Sequence, residues 1–179
     1  MLPIALCPAL AVAVAGRGRL AHARHARLRT AGLAPGFFTD APAAGDPGGA
    51  RHCLPGAAEL ARLRLLWVAG LPDDHAGPLA AAARAAKVLV NVEDRPDWCD
   101  FHSLAEVRRG ELVLAVSTGG HAPGLASRLR ARLEADFGPE WAGRLALLKA
   151  KRQRWRAQGL PAARLSSLTN AAIDAKGWL

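Results

Sequence analysis

Two stretches of this sequence combine residue types and spacings that could do chemistry. The first has the pattern Gly16-x-Gly18-x-x-Ala21, which is the spacing of a loop that binds a dinucleotide. Gly16 permits a tight turn, Gly18 lets the backbone approach a pyrophosphate, and the small Ala21 lets a helix pack closely on a strand. The pyrophosphate would accept hydrogen bonds from the free N–H groups of the helix N-terminus. The expected nucleotide contacts are Gly16, Arg17, Gly18, Arg19, Leu20 and Ala21.

An acidic residue at a suitable distance accompanies this loop. Asp40 lies 24 residues after Gly16, at the end of a predicted short strand over residues 37–39. A carboxylate there accepts a hydrogen bond from a ribose 2′-OH and repels a 2′-phosphate. Asp40 therefore joins the expected nucleotide contacts, and the pattern favours NAD over NADP as the cofactor.

The second stretch places Asn91 and Asp94 directly after an apolar run at residues 88–92. Enzymes with parallel sheets carry their chemistry at the carboxyl ends of the strands, so both side chains are candidates for an active site. Another interpretation stays open, because an aspartate before Arg95-Pro96 also suits the capping of a turn. The loop Ser117-Thr118-Gly119-Gly120 is similarly open to interpretation as a helix N-cap.

The elements that must position these residues follow from the pattern of apolar runs. Buried strands are predicted by short continuous apolar runs at residues 10–15, 65–69, 88–92 and 112–116. One helix is predicted directly after the glycine loop, and another begins at residue 79. Residues 41–50 are rich in proline and glycine and predict a loop. Because strands alternate with helices, the chain is expected to be an α/β protein with a parallel sheet. Amphipathic helices are predicted around residues 125–133, 141–158 and after residue 160.

The charge is unevenly distributed along the chain. The formal net charge is +9, and residues 128–179 hold 11 basic side chains against 4 acidic ones. Such a surplus suits nucleic acid, an anionic lipid surface or a polyanionic small molecule, but also a plain solvated helix face. Nucleic acid is not expected as a partner, because no nucleic-acid motif accompanies the charge and aromatic residues are sparse.

Cysteine usage and the first residues bear on location. The three cysteines, Cys7, Cys53 and Cys99, are widely spaced and form no metal-ligand pattern, so neither a disulfide framework nor a metal site is expected. Reduced thiols favour the cytoplasm. The apolar segment at residues 2–15 resembles a signal peptide, but it is too short to span a bilayer and is better interpreted as leading into a buried strand. No membrane association is expected.

Two longer motifs resemble the precorrin-2 dehydrogenase/sirohydrochlorin ferrochelatase family. That family's patterns read VNVVDxPxxCDF and RGxLxIAxSTGGxAPxLAxxLR. This sequence matches them at Val90-Asn91-Val92, Asp94, Pro96, Cys99-Asp100-Phe101, Arg109-Gly110, Ser117-Thr118-Gly119-Gly120, Ala122-Pro123, Leu125-Ala126 and Leu129-Arg130. The glycine loop and the opening Leu2-Pro3-Ile4 also fit, so the resemblance covers roughly residues 2–155.

The resemblance implies a homodimer whose subunits have three parts. These are an NAD-binding Rossmann domain at residues 1–103, a dimerisation region at 104–137 and a C-terminal helical domain at 138–179. It also implies NAD-dependent oxidation of precorrin-2 to sirohydrochlorin in sirohaem biosynthesis, with iron insertion by some members. By this analogy Asp94 is the catalytic carboxylate and a general base. Substrate would be bound by Asn91, Ser117, Thr118, Gly119 and Gly120. The basic surplus suits a tetrapyrrole with eight carboxylates, for which Arg109, Arg128 and Arg130 are candidate contacts.

Two departures from the family pattern keep alternatives open. Arg17 stands between the two glycines where the family has a third glycine, and residues 69–74 read Ala-Gly-Leu-Pro-Asp-Asp in place of the usual nucleotide loop. The alternatives are a chelatase without dehydrogenase activity and a non-catalytic tetrapyrrole-binding protein, each with a degenerate nucleotide site.

Overall fold

Four short apolar runs form a parallel sheet in the first part of the chain. The computed structural model describes residues 5–179, in which the chain divides into one unit that ends at Ser103 and a second that spans Leu104–Leu179. The strands of the first unit are β1 (Val12–Gly16), β2 (Gly36–Phe38), β3 (Leu65–Ala69) and β4 (Leu89–Val92). Their order is β2-β1-β3-β4, and all pairs are parallel. β1 and β3 are buried along their whole length, as expected where helices cover both faces of a sheet.

Helices cover the two faces of this sheet. Helix α1 (Gly18–Thr30) follows β1, the short helix α2 (Ala57–Leu60) precedes β3, and helix α3 (Asp73–Ala85) follows β3. One buried cluster includes Val12, Val14, Ala21, Leu28, Phe37, Leu65 and Trp67. The other includes Ala13, Leu66, Val68, Ala76, Leu79, Ala80, Ala83 and Val90. Small alanines at the contact positions of α1 and α3 let these helices lie close to the strands.

The strand order creates a crevice between β1 and β3. The chain goes from β1 to β2 on one side and then crosses to β3 on the other side of β1. Ligands of open parallel sheets bind outside the carboxyl ends of the strands where the order reverses in this way. The glycine loop, which follows β1, therefore lies at the expected place for a ligand.

The second unit is a hairpin with three helices. Strands β5 (Ala105–Arg109) and β6 (Leu112–Val116) are antiparallel, and helix α4 (Pro123–Asp136) packs against both. Helices α5 (Trp141–Ala157) and α6 (Ala162–Asp174) follow and pack against each other.

The fold prediction is confirmed in class and corrected in detail. The α/β class with a Rossmann-type parallel sheet is present, and the predicted strands at residues 65–69 and 112–116 have the expected bounds. The helix expected from residue 79 begins at Asp73, because Asp73 and Asp74 suit a first helical turn and Pro72 precedes it. Strand β5 was not expected, since its charged sequence Ala-Glu-Val-Arg-Arg carries no apolar run. Residues 41–50 form no helix or strand, as predicted, and Leu2-Pro3-Ile4 lies outside the described residues.

None of the helices within residues 5–179 is both long enough and apolar enough to cross a bilayer.

Candidate active site

The glycine loop is held tightly against the end of β3. A Cβ atom at Gly16 would overlap the carbonyl oxygen of Ala69, and that oxygen accepts a hydrogen bond from the backbone N–H of Arg17 at 3.1 Å. Ala21 is completely buried next to Gly16. Ala21 therefore has the close-packing role that the spacing predicts, and Gly16 is required by its close contact with the end of β3.

Gly18 is the first residue of α1 and faces open space. Its φ angle is +59°, in the left-handed region that favours glycine, and a Cβ built there would meet nothing within 4 Å. The first turn of α1 contains no acidic residue. Its free N–H groups and positive dipole end are thus available to an anion, and this cradle fits the pyrophosphate of a nicotinamide dinucleotide.

The neighbouring helix α3 begins differently. Its first turn carries Asp73 and Asp74, and Asp73 is bound by Arg95 at 2.8 Å. The two carboxylates interact favourably with the positive end of the helix dipole, and their charge repels a further anion from that end. Asp73 and Asp74 belong to the altered segment at residues 69–74, so the departure from the family pattern makes this helix end acidic. The N-terminus of α1 is then the anion-binding helix end of the crevice.

Arg17 and Asp40 form a two-point ion pair beside the loop. Asp40 follows β2 after Thr39, and Arg17 donates from Nε to Oδ1 at 2.6 Å and from Nη2 to Oδ2 at 2.7 Å. The Nδ1 atom of His75 lies 3.3 Å from Oδ2. The hydrogen bond from Arg17 is the largest reason that the pKa of Asp40 is lowered, so Asp40 is ionised. The sequence predicted that Arg17, in the glycine loop, and Asp40, after a strand, would both contact the nucleotide. It did not indicate that their side chains bind each other or that His75 lies beside them.

A cleft of about 250 Å³ opens at the carboxyl end of β4. It is lined by Arg24, Asn91, Val92, Glu93, Asp94, Arg95, Pro96, Cys99, His102 and Ser103. The structure thus brings Asn91 and Asp94 together at one cleft in the first unit, at the sheet edge where the glycine loop also lies.

Asp94 occupies an unusual backbone conformation in this cleft. Its φ angle is +60°, which few residues other than glycine adopt but which aspartate tolerates. The side chain is exposed, and within residues 5–179 no other group donates a hydrogen bond to its carboxylate. The carboxylate is accordingly free to accept a proton from a ligand in the cleft.

Asn91 has a structural bond that the sequence did not reveal. It is buried, and its Nδ2 atom donates to the carbonyl oxygen of Phe101 at 2.9 Å. The backbone N–H of Val90 donates to Asp100 Oδ2 at 2.9 Å, and that of Val92 donates to Cys99 Sγ at 3.2 Å. Asn91 and the matched residues 99–101 therefore fasten the returning chain to β4, which shapes the cleft wall.

Arg24 and Glu93 are cleft residues that the sequence analysis missed. Arg24 Nη2 lies 3.8 Å from Glu93 Oε1, and Arg24 Nη1 donates to Ser103 Oγ at 2.8 Å. Burial lowers the pKa of Arg24. In the described part of the chain, the other carboxylate oxygen of Glu93, Oε2, is buried without a hydrogen-bond partner. The signal available in the sequence was only the position of Glu93 beside Asp94.

The loop at residues 117–120 belongs to the second unit, between β6 and α4. Ser117 Oγ accepts a hydrogen bond from the backbone N–H of Gly119 at 3.2 Å, and Thr118 Oγ1 accepts one from that of Ala122 at 3.3 Å. These hydroxyls shape the loop before α4. The N-cap of that helix is Ala122 and carries no side-chain cap, so the interpretation of residues 117–120 as the helix N-cap is wrong. Their expected role in substrate binding stays a prediction.

Arg109 is engaged inside the second unit. Its Nε atom donates to the carbonyl oxygen of Phe137 at 2.8 Å and its Nη2 atom to that of Glu134 at 3.2 Å. It thereby satisfies carbonyl groups at the end of α4 that the helix leaves unpaired. Arg109 thus has a capping role at α4, and Arg128 is exposed. The suggested contacts of Arg109, Arg128 and Arg130 with substrate stay predictions.

The three cysteines are free thiols, and Cys99 is half-buried in the hydrogen-bonded segment described above. Residues 5–179 contain no group of three or more histidine, cysteine, aspartate or glutamate side chains that could hold a metal ion. The cytoplasmic location stays a prediction.

Two family models match this chain. Residues 8–105 match a family described as "Putative NAD(P)-binding", and residues 109–136 match one described as "Sirohaem biosynthesis protein central". The first match contains both the glycine loop and the cleft at β4, and the second contains the loop at residues 117–120.

Similar proteins are described as siroheme synthases. One from Pseudomonas putida is 37% identical over 147 residues, which are 78% of this chain and 32% of that protein. One from Nitrosomonas eutropha is 47% identical over 89 residues, 49% of this chain and 18% of that protein. The chain thus spans a third or less of the length of these relatives.

A solved structure described as "SirC, precorrin-2 dehydrogenase" has the same fold. Its TM-score is 0.71 at 21% identity, and the match covers 97% of this chain and 89% of that one.

Proposed function

Because this chain belongs to the NAD(P)-binding family and carries the central segment of sirohaem biosynthesis proteins, we propose that it is the dehydrogenase of sirohaem synthesis. It oxidises precorrin-2 to sirohydrochlorin and uses NAD as the hydride acceptor. The observation that carries this proposal is the placement of Asp94 in a cleft at the same sheet edge as the glycine loop.

The residues of the crevice fit the dinucleotide. The N-terminus of α1 at Gly18 would hold the pyrophosphate, and the Asp40 carboxylate would accept a hydrogen bond from the adenosine ribose. When bound, the nicotinamide ring supplies the two-electron acceptor for the substrate hydride. In the strand order β2-β1-β3-β4, the crevice between β1 and β3 separates β2 from the β4 cleft. The adenosine would therefore lie near β2, and the nicotinamide end would lie near β4.

Asp94 is the group that we assign to proton transfer. Oxidation of precorrin-2 removes one hydride and one proton from the substrate. Asp94 accepts the proton, because its carboxylate is exposed in the cleft and is not occupied by a hydrogen bond from another of the described residues. Arg95 and Val92 hold the turn that presents it, through a bond from Arg95 Nη1 to the Asp94 carbonyl oxygen and one from Arg95 N to the Val92 carbonyl oxygen.

The second unit would contribute binding and dimerisation. The Ser117–Gly120 loop leads into the N-terminus of α4, where N–H groups favour the carboxylates of a tetrapyrrole. An isolated two-stranded hairpin is marginally stable and has open edges. Several apolar side chains of this unit are also exposed, namely Val113, Leu125, Leu129 and Leu147. A homodimer would cover them.

Ferrochelation is a second candidate activity at the same cleft. Insertion of a ferrous ion into sirohydrochlorin releases two pyrrole protons, which require acceptors. Asp94, Glu93 and His102 line the cleft together, and Glu93 has a buried oxygen without a partner among the described residues. Metal insertion would show as a change of the sirohydrochlorin spectrum to that of sirohaem on anaerobic addition of ferrous iron.

The main test is the formation of NADH at 340 nm with enzymatically generated precorrin-2. Growth of this absorbance that requires NAD⁺, together with the sirohydrochlorin spectrum, is the expected result. Folded protein that produces neither signal would overturn the dehydrogenase proposal. Iron insertion without NADH formation would then indicate the chelatase-only alternative, and tetrapyrrole binding without either reaction would indicate the non-catalytic one.

A further inference from the structure

Near the end of β2, Asp40 meets Arg17 of the glycine loop, and these are the two kinds of group that decide between the two nicotinamide dinucleotides. In Rossmann folds a carboxylate at this place binds the ribose 2′-OH of NAD, whereas a nearby arginine accommodates the 2′-phosphate of NADP. Here Asp40 supplies the carboxylate and Arg17 supplies the guanidinium, and the two side chains are bound to each other at 2.6 and 2.7 Å.

This ion pair changes what Asp40 does to a 2′-phosphate. An unpaired carboxylate repels the phosphate, but Asp40 has each of its oxygens bound to a nitrogen of Arg17. The two charges cancel, so the repulsion is largely removed. The imidazole of His75 adds a polar neighbour, with Nδ1 3.3 Å from Asp40 Oδ2 and 3.4 Å from Arg17 Nη2. Asp74 is the further acidic group whose charge acts on Arg17.

Arg17 is also free enough to change partners. Its side chain is 31% exposed, and that of Asp40 is 25% exposed. A guanidinium binds phosphate with two parallel hydrogen bonds as readily as it binds a carboxylate. A 2′-phosphate can therefore take over the Arg17 nitrogens, and a 2′-OH can share the Asp40 oxygens.

We propose that Arg17 is a specificity-determining residue that makes this site accept NADP as well as NAD. The inference rests on the proposed function, since it concerns the dinucleotide that this function requires. It assigns a role to the residue by which the loop departs from three consecutive glycines.

The test measures dinucleotide affinity directly, without turnover. Titration calorimetry of the full chain with NAD⁺ and with NADP⁺ should give dissociation constants within about tenfold of each other, that is, within about 1.4 kcal/mol. Arg17→Ala should weaken NADP⁺ binding by at least about tenfold more than NAD⁺ binding, because a charged hydrogen-bond partner is lost and Asp40 is exposed. Arg17→Lys should keep part of the tolerance, and Asp40→Asn should shift the preference towards NADP⁺.

Arg29→Ala is the matched control, since Arg29 is an exposed arginine in the last turn of the same helix. Adenosine 2′,5′-bisphosphate and 5′-AMP repeat the comparison for the 2′-phosphate alone. If NAD⁺ binds and Arg17→Ala leaves the NAD⁺/NADP⁺ ratio unchanged, the role of Arg17 is overturned while the proposed function stands. If the parent chain binds neither dinucleotide, both are overturned.

Discussion

The side-chain nitrogen of Asn91 donates a hydrogen bond to the carbonyl oxygen of Phe101 at 2.9 Å, across the wall of the cleft. A residue that the sequence suggested for substrate binding thus also holds the chain that returns from the 3₁₀ turn at Pro96–Trp98. If Asn91 were replaced by alanine, the carbonyl oxygen of Phe101 would lose this hydrogen bond. Because Asn91 is buried, water would not take its place.

Asn91→Ala is therefore expected to lower the free energy of unfolding by about 1–3 kcal/mol. Urea unfolding followed by circular dichroism measures this loss. Asn170→Ala, an exposed asparagine in α6, is the control and should change stability by less than about 0.5 kcal/mol. An equal effect of the two substitutions would show that the bond to Phe101 does not stabilise the fold.

Asp94→Asn should lower the rate of precorrin-2 oxidation by about 100-fold or more, since it removes the proton acceptor and keeps the shape of the side chain. Dinucleotide affinity should stay within about twofold, because the glycine loop is unchanged. Asp97→Asn serves as the control, because Asp97 is an exposed carboxylate three residues further on. Normal turnover by the Asp94 variant would remove Asp94 from the mechanism.

Gly16→Ala should disturb the loop, because a Cβ at this position overlaps the Ala69 carbonyl oxygen. Displacement of the backbone is expected to cost about 1–3 kcal/mol of stability and to abolish measurable dinucleotide binding. Thermal unfolding and calorimetry give the two readouts. The matched control is Gly48→Ala, since a Cβ at Gly48 meets nothing within 4 Å, and this variant should behave as the parent does.

Asp46 is expected to contribute to stability in a pH-dependent way. Its pKa is lowered first by the hydrogen bond from the backbone N–H of Ala43 and then by that from His22. A carboxyl group whose pKa is lower in the folded state stabilises the protein above its unfolded pKa of about 4, and this contribution disappears as the pH falls through the folded value.

Asp46→Asn should thus reduce the urea midpoint at pH 6 and leave a smaller difference from the parent at pH 3. Asp97→Asn provides the comparison for a carboxylate on the surface. A difference that is constant between the two pH values would mean that ionisation of Asp46 does not account for its effect.

The sheet and the anion-binding loop could be predicted because they depend on neighbours in sequence. An apolar run of five residues, such as 65–69, is typical of a buried strand, and the glycine spacing acts within one turn. Helix α3 was placed too late because its first turn is polar, and β5 was missed because its strand character comes from pairing with β6. The strand propensity of a segment does not indicate which other strand it will pair with.

The details of the site depended on packing over longer distances. The Arg17–Asp40 pair joins positions 23 residues apart, and the Arg24–Ser103 bond joins positions 79 apart. Opposite charges at two positions do not reveal whether their side chains meet, since that is decided by the relative placement of β1, β2 and α1. The sequence therefore indicated where the chemistry lies but not which groups are already engaged.

The contrast between the first turns of α1 and α3 also fixes a direction. One helix end at the crevice is free of acidic residues and the other carries two carboxylates, so phosphate is admitted at the first and repelled at the second. With the ribose bound near β2, the dinucleotide would lie along the sheet edge in a single polarity, with its nicotinamide towards β4. Such a fixed polarity would place the nicotinamide ring, and not the adenine, beside the β4 cleft that holds Asp94.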